Sequence, residues 1–381
     1  MKETKNRGRV PRLRFPEFRD AGEWKLKPFD KLFTIGNGKD YKHLSGGEIP
    51  VFGSGGFMVS VDDYLYDGES VCIGRKGTIN KPMLLSGKFW TVDTLFYTHS
   101  FNSCLPRFVY LIFQNIDWLK HNEAGGVPSL SKTNIGKITV AVPLLNEQQK
   151  IAYCLSSLDD LITLESQKLN ALKTHKKGLM QQLFPAEGET VPRLRFPEFR
   201  GAGEWEARRL GSLCDMKAGK FVSAADIDGQ AKHGFYPCYG GNGLRGYTSS
   251  YTHSGKYPLI GRQGALCGNI TLADGEFYAT EHAVATTPSD GINVNWLFYK
   301  LVLLNLNRFA TGQAQPGLSV EVLNQVECVY PKNELEQQKI ADCLSSLDDL
   351  ITAQDRKIGS LKTHKKGLMQ QLFPVLEDTV A

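Results

Sequence analysis

Two stretches of this chain occur twice, and that repetition constrains its fold more than any other feature. Val10–Trp24 returns as Val191–Trp205 with one change in fifteen positions, Asp20 against Gly201. Glu147–Pro185 returns as Glu336–Pro374, identical at 31 of 39 positions. Between the copies lie residues 25–145 and 206–332, similar in length and strongly diverged. A constant frame with two variable inserts suits a molecule that carries two related but different surfaces.

Length and composition set milder bounds. A chain of 381 residues predicts two or three domains, each able to bury its own core. The net charge is only +5, so any surface for a nucleic acid has to be local. Eight cysteines form no C-x-x-C pair, which fits reduced thiols in a cytosolic protein. No apolar run approaches the ~18 residues a bilayer span requires. Met1–Arg9 is polar and has no apolar stretch of the secretory type.

Glu147–Phe184 reads as one helix. Apolar residues fall at Ile151, Leu155, Leu158, Ile162, Leu169, Leu172, Leu179 and Leu183, a 4-3 spacing that marks a heptad seam. The second copy repeats it with Ile340, Leu344, Leu347, Ile351, Ile358, Leu361, Leu368 and Leu372. Asn146 with Gln149, and Asn333 with Glu336, resemble caps; Pro185 and Pro374 are stops. Two seam positions in each helix are polar: Glu165 and Lys176, then Gln354 and Lys365. An antiparallel pair in which Glu165 faces Lys365 and Lys176 faces Gln354 leaves no polar residue opposite an apolar one, so this register is expected. The other possibility is that each helix packs on its own domain. Lys173–Lys177 recurs as Lys362–Lys366 and reads as a solvated helix face.

The two variable segments are rich in glycine, aromatic and β-branched residues, which predicts short strands and tight turns. Ile49–Ile79 aligns without a gap on Tyr236–Leu266, and glycines dominate the agreement. Three places stand out. Ile73-Gly74-Arg75-Lys76-Gly77-Thr78 matches Ile260-Gly261-Arg262-Gln263-Gly264-Ala265, an apolar strand that enters a turn with an arginine between glycines. Arginine suits a phosphate or a guanine edge through its bidentate fork. Gly53-Ser54-Gly55-Gly56 matches Gly240-Gly241-Asn242-Gly243, and Gly126–Ser131 matches Gln315–Ser319. No segment fits the phosphate-loop or dinucleotide fingerprints. For Arg75 and Arg262 a structural ion pair and a DNA contact both stand open; their recurrence at matched places favours contact.

The whole layout resembles the specificity (S) subunit of type I restriction–modification systems. The resemblance rests on the R-F-P-E-F elements (Arg14–Phe18, Arg195–Phe199), the I-G-R-x-G elements (Ile73–Gly77, Ile260–Gly264), the P-x-L-S loops (Pro128–Ser131, Pro316–Ser319) and the E-Q-Q-K-I-A helix openings (Glu147–Ala152, Glu336–Ala341). It implies an α+β chain in which two similar glycine-rich, mixed α/β target-recognition domains are separated by two long helices forming an antiparallel coiled coil, with an internal pseudo-two-fold repeat. The implied divisions are 1–145, a spacer helix 146–185, 186–332, a second spacer helix 333–374 and a tail 375–381. The resemblance further implies a cytoplasmic, non-catalytic subunit that binds double-stranded DNA and two methyltransferase subunits, with restriction subunits joining them. Each domain would read one half of an asymmetric bipartite target, and the helices would set its gap. No cofactor is expected in the chain itself, S-adenosylmethionine belonging to the partner methyltransferase subunits. Candidate DNA-binding residues are Ser54, Arg75, Lys76 and Thr78 in the first domain, and Asn242, Arg245, Arg262 and Gln263 in the second.

Two other classes of reading remain open at this point, an enzyme (a methyltransferase or a nuclease) and a scaffold. A DNA methyltransferase in its own right would need an N-P-P or D-P-P loop, and none occurs. A nuclease would need clustered carboxylates; Asp62-Asp63 and the repeated Asp159-Asp160 and Asp348-Asp349 are the obvious pairs, the repeated ones better read as solvated helix faces. A coiled-coil scaffold joining two protein-binding modules explains the repeats but not the divergence of the inserts.

Overall fold

The computed structural model describes residues 9–264, 266–312 and 316–374. Residues 1–8, Ala265, Gln315 and the tail 375–381 therefore lie outside the described residues. The chain divides into two compact units: one takes the residues up to Ser166 and those from Lys357 on, the other takes Gln167–Arg356. Both divisions fall inside the long helices.

In the first unit the strands are β1 (Lys25–Pro28), β2 (Thr34–Asn37), β3 (Gly46–Gly53), β4 (Gly56–Val61), β5 (Tyr66–Asp67), β6 (Ser70–Gly74), β7 (Met83–Leu85), β8 (Lys88–Thr91), β9 (Leu95–His99) and β10 (Thr139–Val142). They form a pair β1-β10 and two four-stranded sheets, β2-β9-β6-β7 and β4-β3-β8-β5. Helix α1 (Pro106–Asn115) lays its apolar face, Phe108, Val109, Leu111, Ile112 and Phe113, into the core. A short α2 (Lys132–Lys137) and the long α3 (Leu145–Leu183) follow β1's partner strand or lead into it.

The second unit repeats this order with β11 (Glu206–Arg209), β12 (Cys214–Ala218), β13 (Tyr236–Gly240), β14 (Gly243–Thr248), β15 (His253–Ser254), β16 (Tyr257–Gly261), β17 (Ile270–Ala273), β18 (Glu276–Ala279), β19 (Ala283–Pro288), α4 (Val294–Leu303), α5 (Val320–Asn324), β20 (Glu327–Tyr330) and α6 (Glu334–Leu372). Its sheets are β11-β20, β12-β19-β16-β17 and β14-β13-β18-β15, the same topology strand for strand. The gapless alignment holds at the strand ends: β14, β15 and β16 begin and end at the equivalents of β4, β5 and β6. Strand β6 is buried along its whole length, as is β16 apart from its half-buried first residue, because each is a central strand covered on both faces.

Each core is built on both long helices. Ile151, Ala152 and Leu155 of α3 join Trp24, Phe108, Leu372 and Phe373 in one cluster. Met180, Leu183 and Phe184 join Trp205, Trp296, Ile340, Ala341 and Leu344 in the other. Phe373 stacks on Phe108 with ring centres 5.6 Å apart, and Phe184 on Trp296 at 6.0 Å. The phenylalanine that ends each helix therefore plugs the unit in which the other helix begins. All the apolar seam positions of α3 and α6 are buried or half-buried. In the first unit Lys365 meets Asp159 and Lys357 meets Glu165, so the two helices run antiparallel there.

The register differs from the expected one. Lys365 Nζ donates to both carboxylate oxygens of Asp159, at 2.6 and 2.7 Å, instead of facing Glu165. Lys176 Nζ donates to Asp348 Oδ2 at 2.6 Å instead of meeting Gln354, and Tyr299 Oη donates to the same oxygen at 2.7 Å. In both cases the partner lies six positions earlier than expected. Six helical residues span about 9 Å, more than a lysine stem bridges, so in each unit the helices are displaced along their axes from the expected register. The long apolar stem then carries the ammonium from the seam to a flanking carboxylate. The repeated Asp159 and Asp348 are thus ion-pair partners of the K-T-H-K-K elements, and the middle lysine of those elements is no free solvated charge. The capping expectation held at one end only. Asn333 Oδ1 accepts the Leu335 N–H at 2.9 Å, whereas α3 already begins at Leu145, one residue before Asn146.

The repeated terminal elements form a lock. Arg14 donates to both carboxylate oxygens of Glu147, Nε to Oε1 and Nη2 to Oε2, each at 2.7 Å; Trp24 Nε1 donates to Oε1 at 3.2 Å. Arg195, Trp205 and Glu336 repeat it at 2.7, 2.8 and 3.1 Å. Both carboxylates are 1% exposed. A buried carboxylate persists when a fork and a third donor satisfy it. Gln148 and Gln337 add a second repeated link: Gln148 accepts the Leu105 N–H and donates to the Ser103 and Pro143 carbonyls, and Gln337 makes the same bonds to Asn293, Gly291 and Pro331.

Candidate nucleic-acid interface

All three places singled out in the sequence converge within each unit. β6 ends at Gly74, and the turn that follows is zipped by its backbone to the P-x-L-S loop. Gly77 N–H donates to Pro128 O, and Leu130 N–H donates to Arg75 O, both at 2.9 Å. In the second unit Gly264 N–H donates to Pro316 O at 3.0 Å and Leu318 N–H to Arg262 O at 2.9 Å. Arg75 N–H donates to Thr94 O at 2.8 Å, and Arg262 N–H to His282 O at 3.0 Å. These bonds use peptide groups alone, so they hold the loops together whatever side chains the loops carry.

The glycine-rich hairpin closes over the same turn. Gly53 pairs with Gly56 and Gly240 with Gly243, which leaves Ser54-Gly55 and Gly241-Asn242 as two-residue tips. The second glycine of each pair has positive φ, 116° at Gly56 and 88° at Gly243. A Cβ at Gly261 would lie 1.9 Å from Gly241 O, and one at Gly74 2.0 Å from Thr78 O. No side chain fits at either place, which explains why the I-G-R element requires its glycine. A Cβ at Gly77 would stand 3.4 Å from Ser54 Oγ, so hairpin tip and turn touch.

Around these backbones the two units differ. In the first, an open cleft of about 690 Å³ is lined by Asn37, Arg75, Lys76, Phe96, Glu123 and Val127, with Ser129 to Lys132 along one side. Arg75 and Lys76 are exposed; Ser54 and Thr78 are half-buried. The Arg75 guanidinium and the Lys132 ammonium both approach the Phe96 ring, at 6.0 and 5.9 Å from its centre. Burial, reinforced by the neighbouring Arg75 charge, holds the Lys132 pKa below the ordinary lysine value. Burial and the Lys132 charge likewise lower that of His99. The cleft presents three cations, each able to bond a phosphate oxygen or a base edge.

In the second unit Gln263 stands where Lys76 does and is exposed, as are Asn242 and Arg245. Arg262 is half-buried. Its Nε, with Glu281 Oε2 and His282 Nδ1, is buried without a hydrogen-bond partner among the described residues. His282 Nε2 lies 3.2 Å from Glu281 Oε1. Buried polar atoms of this kind cost roughly 1–3 kcal/mol each, so three together mark a place where a polar ligand has something to gain. Glu321 has a depressed pKa, held down by its own backbone N–H, the Ser319 hydroxyl and the Arg262 charge.

Sequence reasoning found the turn, the hairpin and the loop but missed Lys132, Phe96, Glu281 and His282. Lys132 directly follows the P-x-L-S loop and was within reach of that signal. Phe96, Glu281 and His282 have none, because only strand pairing brings them to the turn. Arg245, the third residue of β14, lies on the strand beyond the tip and outside the zipped loops.

All eight cysteines are free thiols, and burial pushes those of Cys72 and Cys214 up to about 12. Among the described residues no group of His, Cys, Asp and Glu has the arrangement of a metal site. No described helix is long and apolar enough to cross a membrane.

A family model described as the type I restriction modification DNA specificity domain matches residues 21–174 and again 202–363. The type I restriction enzyme EcoprrI specificity subunit of Escherichia coli is 44% identical over 151 residues; that alignment covers 39% of this chain and 37% of the relative, little more than a third of its length. The MjaVIII specificity subunit of Methanocaldococcus jannaschii is 25% identical over 341 residues, covering 81% of this chain and 77% of that one. Among solved structures, the type I S subunit from M. genitalium superposes with a TM-score of 0.73 at 17% identity, covering 96% and 99% of the two chains, which establishes a common fold. With the family domain matched twice over most of its length, this chain belongs to the type I restriction–modification DNA specificity family.

Proposed function

We propose that the chain acts as the DNA-specificity subunit of a type I restriction–modification complex, each unit reading one half of an asymmetric bipartite target. The observation that carries this reading is the paired site: one backbone framework, zipped by the same peptide hydrogen bonds, bears Ser54, Arg75, Lys76 and Lys132 in one unit and Asn242, Arg262, Gln263 and His282 in the other. Different donors on equal scaffolds read different bases, and an arginine fork at each suits a guanine edge. The long helices fix the gap between half-sites and dock two methyltransferase subunits, which hold S-adenosylmethionine; restriction subunits join that assembly. The chain itself contributes recognition and no chemistry.

The test is domain exchange. Residues 206–332 are replaced by the equivalent segment of another family member, and the methylated sites are mapped in cells carrying the complex. The reading expects one half of the target to change and the other to persist. Loss of both halves by a chain that still folds and assembles would refute it.

A further inference from the structure

Each recognition hairpin carries an exposed apolar side chain directly beyond its glycine tip. In the first unit it is Phe57, 64% exposed, the residue after Gly56 at the start of β4. In the second it is Leu244, 53% exposed, at the equivalent place on β14. The neighbours do not share this character. Met58 and Val59 are also exposed, but their equivalents are Arg245 and Gly246. The framework has thus kept a large apolar group in water at one hairpin position while the surrounding side chains changed. Phe57 meets the Phe52 ring edge-on, with centres 6.2 Å apart. A phenylalanine left in water forgoes roughly 2 kcal/mol of burial.

We infer that Phe57 and Leu244 are apolar wedges, each entering the base stack of its half-site and opening one step. The occupant is double-stranded DNA, and the inference rests on the function proposed above. Three observations favour that occupant. The tip beside Phe57 touches the turn that bears Arg75 and Lys76, and the equivalent tip before Leu244 packs on the turn that bears Arg262, so each hairpin joins its apolar group to a turn carrying a cation. The tips are two residues long, which makes a narrow projection. Glycines flank them, at 53, 55 and 56 and at 240, 241 and 243, so Ser54 and Asn242 are the one side chain at each tip and a nucleic-acid backbone can come close. Insertion of Phe or Leu between base steps is a general way for a protein to trade unstacking for closer contact.

The experiment places 2-aminopurine at successive positions of each half-site of the mapped target, in duplexes bound by the full chain alone. Fluorescence should rise several-fold at one step per half-site. Phe57→Ala should abolish the rise in the first half and weaken binding about tenfold, the size of one lost stacking contact. Phe57→Trp should preserve both, and Leu244→Ala should silence the second half only. Selective binding with no fluorescent step, or a step that survives Phe57→Ala and Leu244→Ala, overturns the wedge and leaves the recognition reading intact. Absence of sequence-selective binding by the wild-type chain overturns both.

Discussion

The first and second units share every sheet, in the same strand order, yet their sites offer different chemistry. The first presents Arg75, Lys76 and Lys132 around an open cleft. The second half-buries Arg262 beside Glu281 and His282 and replaces the lysine by Gln263. What stays constant is backbone: the zip between turn and loop, the glycine tip, and the glycine that lets a carbonyl approach. Peptide hydrogen bonds do not depend on side-chain identity, so the surface varies while its support stays the same. The outer lock follows the opposite rule, with side chains conserved because a buried carboxylate needs those particular donors.

If the locks are equivalent, Glu147→Ala and Glu336→Ala should each cost about 3–5 kcal/mol by leaving a nearly buried guanidinium without its partner. Urea unfolding measures both, and a large difference between them would break the equivalence of the two units. Next in size, Gly74→Ala and Gly261→Ala force a Cβ against backbone oxygens and should each destabilise by about 1–3 kcal/mol. Binding to duplexes altered in one half at a time should show that each abolishes readout of its own half alone. Arg75→Ala and Arg262→Ala should each lose roughly 1–3 kcal/mol of discrimination at one base pair, in different halves.

Smaller effects sharpen the contrast. Lys132→Ala should weaken binding across sequences and lower the salt slope by about one unit, with no counterpart at Val320 of the second unit. Asp348→Asn and Asp159→Asn break partly exposed pairs and should cost about 1 kcal/mol or less, the first more than the second because Tyr299 also binds Asp348. Arg75→Met should move the Lys132 titration upward, since the arginine charge is part of what depresses it; NMR of the lysine side chain reads the shift.

How much of this was legible in the residues depended on the distance over which each interaction acts. The seams of α3 and α6 were legible because their period repeats within the helix. Their register was not. Matching Glu165, Lys176, Gln354 and Lys365 with one another overlooked that lysine reaches a flanking carboxylate, and Asp159 and Asp348 lie outside the seam. The locks escaped for another reason: Arg14 and Glu147 are 133 positions apart, and nothing local links them. Among the site residues, Arg75 and Arg262 were marked by their flanking glycines, whereas Phe96 and His282 reach the turn only through strand pairing.

The central claim is that two units of one fold read two different half-sites. It is tested most directly by making the units alike: residues 206–332 are replaced by residues 25–145, and the methylated target of the resulting complex is mapped. The account predicts a target whose two halves carry the same sequence. An unchanged asymmetric target from an assembled complex would contradict it.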